Sequence, residues 1–207
     1  MTTVAIIDDH AMVRKGVEFI LAMKKSEFSF VGEHGGGEGA DEFVKSIAPD
    51  ILLLDIRMPD KDGLAALRDI LAVRPTQKVI MLTTSEADND VYEAVKLGAK
   101  GYLLKDRDSG ELVEAIRAVA AGGTFLPAVV QKLYTEREGM SEFTERELET
   151  LDFIAKGLSN PEIASIMNIT RDTVKEYVKR IYAKLGVNDR VSATTEAYRR
   201  GFLRISK

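Results

Sequence analysis

Acidic, hydroxyl and ammonium side chains stand where short apolar runs stop. Asp8 and Asp9 follow Val4-Ala5-Ile6-Ile7, and Asp55 follows Ile51-Leu52-Leu53-Leu54. Thr83 follows Val79-Ile80-Met81-Leu82, and Lys105 follows Tyr102-Leu103-Leu104. Carboxylates brought together repel one another, which raises their pKa values unless a cation compensates. A hard divalent ion such as Mg2+ accepts one or two carboxylates and keeps several waters, leaving room for a phosphoryl oxygen. Lys105 offers that oxygen a second positive group, and the Thr83 hydroxyl a hydrogen bond. Once the charge is neutralised, one carboxylate can attack phosphorus and become an acyl phosphate.

The elements that must position these residues are legible in the same runs. Fully apolar segments of this length read as buried strands of a parallel sheet. Ligand sites of such sheets lie beyond the carboxyl ends of the strands, where the topology switches. Strands are expected near 4–8, 28–32, 51–55, 78–83 and 101–104, with helices near 11–23, 37–47, 64–73, 87–97 and 109–121. In the last helix Leu112, Ile116 and Val119 form the inward stripe, with Asp108 as N-cap and Glu111 three places on. The result is α/β: a doubly wound, five-stranded parallel domain of flavodoxin-like type over residues 1–123. Gly35-Gly36-Gly37 reads as a flexible turn after the second strand, and no phosphate-loop Lys-Ser/Thr follows it. His10 falls at the start of the first helix, where it packs or caps, and His34 reads as an exposed loop residue.

Composition adds bounds. The chain has 207 residues, 45% hydrophobic and 30% charged, enough for one or two domains with their own cores. No apolar run approaches the roughly 20 residues that cross a bilayer, and Met1-Thr2-Thr3 lacks a signal-peptide flank, so no membrane association and a cytoplasmic location are expected. Cysteine is absent, which excludes disulfides and thiolate metal sites. The net charge of −4 divides unevenly: residues 142–207 carry +2 and the remainder −6, making the tail the better candidate for a polyanion.

After Gly123 the pattern changes. Residues 124–141 read as a linker, with one short helix over 127–136 and an exposed stretch over 137–141. Residues 142–207 contain no strand-like run and resolve into four short helices. Thr144-Glu145-Arg146-Glu147 is a capping box opening the first, which turns Leu148, Leu151 and Ala155 inward. Ser159-Asn160-Pro161-Glu162 opens the second, Thr170 caps the third, and Asp189 or Asn188 caps the fourth. Over 170–185, Val174, Val178, Ile181 and Leu185 make a buried stripe with Lys175, Lys179, Arg180 and Lys184 beside it. With Met167-Asn168-Ile169 as a tight turn before it, this is helix-turn-helix spacing, and such a helix suits a DNA major groove.

Taken in order, Asp8-Asp9-His10, Asp55-Ile56-Arg57-Met58-Pro59 with Gly63, Thr83, and Gly101-Tyr102-Leu103-Leu104-Lys105 resemble the receiver domain of bacterial two-component response regulators. The resemblance implies Asp55 as phosphoacceptor, and Mg2+ bound by Asp9, Asp55 and the backbone carbonyl of Arg57, with Asp8 assisting. It further implies Thr83 and Tyr102 as a switch pair and Lys105 as the contact to phosphoryl oxygens. Thr144-Glu145-Arg146-Glu147, Ser159-Asn160-Pro161-Glu162-Ile163-Ala164, Thr173-Val174-Lys175 and Lys184-Leu185-Gly186-Val187 resemble the LuxR-type helix-turn-helix domain. By that similarity 170–185 is the recognition helix, Thr173, Lys175, Glu176, Lys179, Arg180 and Lys184 face DNA, and 190–200 can pair with a second subunit.

Receiver plus this output domain is the arrangement of NarL/FixJ-type regulators. The implied activity is phosphorylation-controlled transcription regulation rather than enzymatic turnover. The implied partners are a sensor histidine kinase, promoter DNA, a second copy of the chain and, as a further candidate, RNA polymerase. Glu176 and Tyr177 depart from the family pattern of a small or apolar residue followed by His. Glutamate accepts a hydrogen bond from cytosine N4, so Glu176 is expected to read sequence; as a plain helix residue it would instead pair with Arg180. Two other classes remain open on the residues alone. An aspartyl-nucleophile phosphatase needs an Asp two places after Asp55, where Arg57 stands, and an adaptor would have no use for Lys175 and Lys179.

Overall fold

A computed structural model describes residues 1–84, 88–106, 108–126 and 143–203, with 128 and 131. The chain divides into two compact units. In the first, strands β1 (Thr2–Ile7), β2 (Phe28–His34), β3 (Ile51–Asp55), β4 (Lys78–Thr83) and β5 (Gly101–Leu104) alternate with five helices. These are α1 (Ala11–Ala22), α2 (Ala40–Ile47), α3 (Gly63–Val73), α4 (Asp88–Leu97) and α5 (Ser109–Ala120). The strands pair in parallel in the order β2-β1-β3-β4-β5.

Successive side chains of a strand face opposite ways, and the apolar runs supply both faces. Ala5, Ile7, Leu52, Leu54, Val79, Met81 and Tyr102 join the buried residues of α2, α3 and α4. Val4, Ile6, Ile51, Leu53, Ile80, Leu82 and Leu103 join those of α1 and α5. That two-sided burial explains why the runs show no polar alternation. Asp108 caps α5 as its position suggests, accepting from the Gly110 and Glu111 amides at 2.6 and 3.1 Å.

Two expectations change here. Gly36 and Gly37 are buried, not a free turn, because the Asp60 carboxylate accepts from the Gly37 and Glu38 amides at 3.1 and 3.0 Å. His34 ends β2 half-buried, its Nδ1 donating to Gly36 O at 2.8 Å and its ring packed on Phe43. Neither contact leaves a periodic mark in the sequence. Phe125, inside the stretch expected as linker, pairs with the sheet. Phe125 bridges to Gly101 and exchanges hydrogen bonds with Tyr102 N and Lys100 O, each 2.9 Å long. An edge strand exposes unpaired amides and carbonyls, and the Phe125 backbone covers the start of the β5 edge at Lys100 O and Tyr102 N. The short helix over 127–136 and the stretch over 137–141 fall, apart from 128 and 131, outside the described residues.

The second unit contains α6 (Glu145–Ala155), α7 (Asn160–Met167), α8 (Arg171–Leu185) and α9 (Arg190–Arg199). Each helix starts at its expected position. Thr144 and Glu147 make a reciprocal capping box, Thr170 accepts from the Thr173 amide, and Asp189 accepts from Ser192. At α7 the Glu162 carboxylate accepts from both the amide and the hydroxyl of Ser159. Asn168 ends α7 with φ 54° and ψ 47°, a left-handed conformation that asparagine tolerates better than most residues. Leu148 is not inward. It is 37% exposed, and α6 instead buries Glu147, Thr150, Leu151 and Ile154.

Glu147 is 2% exposed, and its carboxylate meets Lys184 Nζ at 2.5 Å. Burial alone would raise its pKa, but Lys184 and the Thr144 hydrogen bonds outweigh it and hold the group below its ordinary 4.5. A depressed carboxylate pKa stabilises the fold above the unfolded value and loses that contribution as the pH falls through the folded one. Lys184→Ala is expected to destabilise this unit by about 2–3 kcal/mol at neutral pH, since a buried charge is left unpaired. Amide exchange in α6 and α8 of the full chain measures the loss, which should shrink as the pH is lowered below about 4.5.

Candidate functional site

Register brings the strand-end residues together. Ile7 lies opposite Leu54 in the β1–β3 ladder, so the residues at these strand ends, Asp8 and Asp55, are neighbours. Backbone bonds continue past the strands: Asp8 N donates to His34 O at 3.1 Å, Ile56 N to Leu82 O at 3.0 Å, and Lys105 N to Thr83 O at 2.7 Å. β1 lies between β2 and β3 although it precedes both in the chain, which makes this the switch point where such sheets form their crevice.

Lys105 Nζ stands 2.8 Å from Asp8 Oδ2 and 2.9 Å from Asp55 Oδ2, with its side chain 10% exposed and the two aspartates at most 1%. Asp9 is at the rim. Its Oδ1 lies 2.6 Å from His10 Nδ1. Donor atoms of Asp8, Asp9, His10 and Asp55 all fall within 4.8 Å of one another. Burial raises the Asp55 pKa above its ordinary 3.8; Lys105 opposes this, Asp8 adds to it, and the Arg57 amide, 3.3 Å from Oδ1, lowers it. One ammonium therefore faces two buried carboxylates. Asp8 Oδ2, Asp9 Oδ1 and Asp55 Oδ2 are buried without an aligned hydrogen bond. Hard oxygen donors with charge left over fit a divalent cation of the Mg2+ type.

The β3–α3 loop is held from several sides. Gly63 N donates to Ile56 O at 2.9 Å, and the Asp62 side chain caps α3 by accepting from Leu64 N at 2.9 Å. Asp60 grips the β2–α2 loop; burial works against its ionised form, yet the Glu38 and Gly37 amides bring its pKa to about 2. The Arg57 guanidinium pairs with Asp90, a fully buried acid on α4. Arg14 of α1 donates to the Asp8 carbonyl at 2.6 Å. Sequence reading found none of Arg14, Asp60 or Asp90, because loop and cross-element contacts follow no period. Thr83 and Tyr102 are both fully buried, and the Tyr102 ring packs in the core shared with α4.

In the second unit Val174, Ile181 and Leu185 are buried and Val178 packs against them. Lys175, Glu176, Lys179 and Arg180 are exposed on α8, and Thr173 is half-buried beside its cap. Lys175 reaches back to Asp172 at 2.9 Å, a solvent-facing pair of little consequence. No Glu176–Arg180 ion pair forms among the described residues. Lys184 departs from the expected set: its ammonium is committed to Glu147 and to the Phe143 ring, 5.3 Å from the centroid. It is a packing cation of this unit.

An acidic, lysine-topped pocket on a parallel α/β domain, followed by a helix-turn-helix unit, defines a signalling regulator with a DNA-type output module. Residues 4–117 match the response regulator receiver domain, and residues 141–197 match the bacterial regulatory proteins of the luxR family. The chain is 39% identical over 198 residues to the nitrate/nitrite response regulator protein NarP of Escherichia coli (strain K12), covering 92% of each protein. It is 36% identical over 225 residues to the transcriptional regulatory protein DegU of Brevibacillus brevis, covering 98% of this chain and 95% of that one. A solved structure of RcsB from Salmonella enterica serovar Typhimurium, bound to promoter rprA, is 26% identical with a TM-score of 0.70, covering 95% and 98%. The protein belongs to the NarL/FixJ family of two-component response regulators, with a receiver domain and a LuxR-type DNA-binding domain. No described helix is long and apolar enough to cross a membrane.

The raised Asp55 pKa has a direct consequence. A carboxyl whose folded pKa exceeds its unfolded value binds its proton more tightly when folded, so stability falls as the pH rises through that interval. Asp55→Asn removes the buried charge. In chelator at neutral pH it is expected to stabilise the first unit by about 1–2 kcal/mol. Thermal melts should also show added Mg2+ stabilising the natural protein and having a smaller effect on the variant.

Proposed function

We propose that this protein is a phosphorylation-controlled, sequence-specific transcription regulator whose phosphoacceptor is Asp55. The observation that carries the reading is the buried Asp55 carboxylate at the end of β3, 2.9 Å from the buried Lys105 ammonium and beside two further aspartates. A carboxylate oxygen of Asp55 attacks the phosphorus of a phosphohistidine or acyl phosphate. The new P–O bond forms as the bond to the donor breaks, and the donor keeps the electron pair. Lys105 meets the transferred oxygens, and the Thr83 hydroxyl donates to one of them. Asp9, Asp55 and the Arg57 carbonyl would hold Mg2+ with help from Asp8. When bound, the ion supplies positive charge to the phosphoryl oxygens.

The charge added at Asp55 draws Thr83, and with it Tyr102 and the α4–β5–α5 surface, toward a second arrangement that favours dimers and DNA binding. A modification biases only states that it contacts differently. Inverting a 1:99 equilibrium takes roughly 5.5 kcal/mol, so pairing on DNA contributes as well. Support for pairing comes from α9, where Val191 and Tyr198 are 76% and 39% exposed. The DNA-bound RcsB relative was studied with a phosphomimetic, which fits the same order of events. Two recognition helices about 34 Å apart match half-sites one turn apart. Thr173, Lys175, Lys179 and Arg180 contact phosphates and base edges, and Glu176 reads a C·G pair through cytosine N4. A sensor histidine kinase is the donor, and RNA polymerase is the onward partner at the promoter.

DNA-binding selection on the full chain, with and without an acyl-phosphate donor and Mg2+, tests both halves together. The donor is expected to produce a labile aspartyl adduct and tighter binding to a two-fold related site. Asp55→Ala should lose both responses, and an Asp55→Ala protein that still responds would overturn the reading. In the same selection Glu176→Val should relax the preference at one position in each half-site, whereas an unchanged motif would return Glu176 to a plain surface role. Lys175→Ala should lower the salt dependence of binding by about one counterion.

A further inference from the structure

His10 has no task in the phosphoacceptor chemistry, and it does not do what its position suggests. It occupies the N-cap of α1 with φ −85° and ψ 105°, yet its side chain makes no capping hydrogen bond. Nor is the ring packed away: the side chain is 64% exposed. Its amide donates to Asp8 Oδ1 at 2.9 Å, which fixes the main chain against the acidic pocket. Its Nδ1 lies 2.6 Å from Asp9 Oδ1 and 3.4 Å from Asp8 Oδ1. One donor atom from each of Asp8, Asp9, His10 and Asp55 lies within 4.8 Å of the others. Opposite ligands of a six-coordinate ion with bonds near 2.1 Å are roughly 4.2 Å apart, so a small adjustment closes a shell around one ion. Of the buried carboxylate oxygens without aligned hydrogen bonds, Asp9 Oδ1 lies beside the His10 ring, whereas Asp8 Oδ2 and Asp55 Oδ2 face Lys105 at 2.8 and 2.9 Å.

We propose that His10 is a nitrogen ligand that lets this pocket bind divalent ions preferring imidazole, Zn2+, Ni2+ and Co2+, in competition with Mg2+. The inference rests on the phosphoacceptor reading for the role of the pocket, but not for the ligand set. Mg2+ prefers oxygen and keeps its waters, so it gains little from an imidazole. The later first-row ions bind imidazole well and follow the order Co2+ < Ni2+ with Zn2+ of comparable strength. Because the His10 ring is exposed, turning it inward breaks no packing. Once His10 and the three carboxylates surround an ion, the position that a water holds around Mg2+ is taken by protein. Around a six-coordinate ion these four donors leave one position fewer for a phosphoryl oxygen, and around a four-coordinate Zn2+ they leave none. Zn2+ should therefore antagonise phosphorylation at Asp55 while stabilising the unphosphorylated protein.

The test uses the full chain with 15N-labelled histidine, titrated with Zn2+ and separately with Mg2+. Zn2+ is expected to shift the His10 ring nitrogens and Mg2+ to leave them in place; the assignment comes from the resonance lost in His10→Ala. Calorimetry should show His10→Ala weakening Zn2+ binding by about 10–100-fold, with Mg2+ binding unchanged within about twofold. Asp55→Asn should weaken Zn2+ as well, placing both residues on one ion. Equal Zn2+ affinity in the natural protein and His10→Ala, an unmoved His10 resonance, or a Zn2+ site indifferent to Asp55→Asn would each overturn the proposal. Labelling of the natural protein by acyl phosphate and Mg2+ is read separately, so failure of the phosphoacceptor assignment is told apart from failure of the nitrogen ligand.

Discussion

One ammonium facing two buried carboxylates governs the first unit. Lys105 lies within 3 Å of both Asp8 and Asp55, and neither acid has useful contact with solvent. Charges removed from water persist only when paired and hydrogen-bonded. Here the pairing is one short, and the direction of the Asp55 shift records that shortage: burial, with Asp8 behind it, outweighs Lys105. The pocket is poised to accept positive charge, and its donors are hard oxygens. The cation binding and the reactivity toward phosphorus proposed for it would both draw on the same imbalance.

The surrounding structure keeps that imbalance from relaxing. Backbone bonds extending β1, β3 and β5 hold Asp8, Ile56 and Lys105 in register beyond the strands. The β3–α3 loop is closed at its base by Gly63 and Ile56, gripped at its tip by Asp60, and tied to α4 through Arg57 and Asp90. This last contact joins a residue two places from Asp55 to the helix against whose core Tyr102 packs. A change of charge at the pocket is therefore in physical contact with α4 through side chains, without a long relay.

The second unit separates its two tasks by helix face. The apolar stripe of α8 is buried in its own core, and Lys184 at its end is held by Glu147 and Phe143. That leaves Lys175, Glu176, Lys179 and Arg180 facing solvent on one well-anchored helix. A carboxylate among those cations opposes general attraction to phosphates, so any favourable contact by Glu176 must be specific.

Much of this architecture is written locally. Apolar runs without alternation imply a sheet covered on both sides, and each strand and helix of the first unit appears within a few residues of its expected place. Capping boxes at Thr144 and Ser159 mark helix starts because the cap and its partner are only three residues apart. The strand-end positions of Asp8, Asp55, Thr83 and Lys105 follow from the same runs, since the chain must leave a strand where its apolar stretch stops. What the tertiary structure alone decided are contacts between distant segments that carry no period. Asp60 in the Gly37–Glu38 amides, Arg57 on Asp90, Phe125 along β5 and Lys184 on Glu147 depend on how elements dock. Leu148 turned outward for a related reason: α6 meets its neighbours through Glu147, Thr150, Leu151 and Ile154, and which arc of an amphipathic helix is covered is settled by the partner. Short-range rules act within one turn of chain, whereas pairing across the fold is fixed only when all the surfaces compete for burial at once.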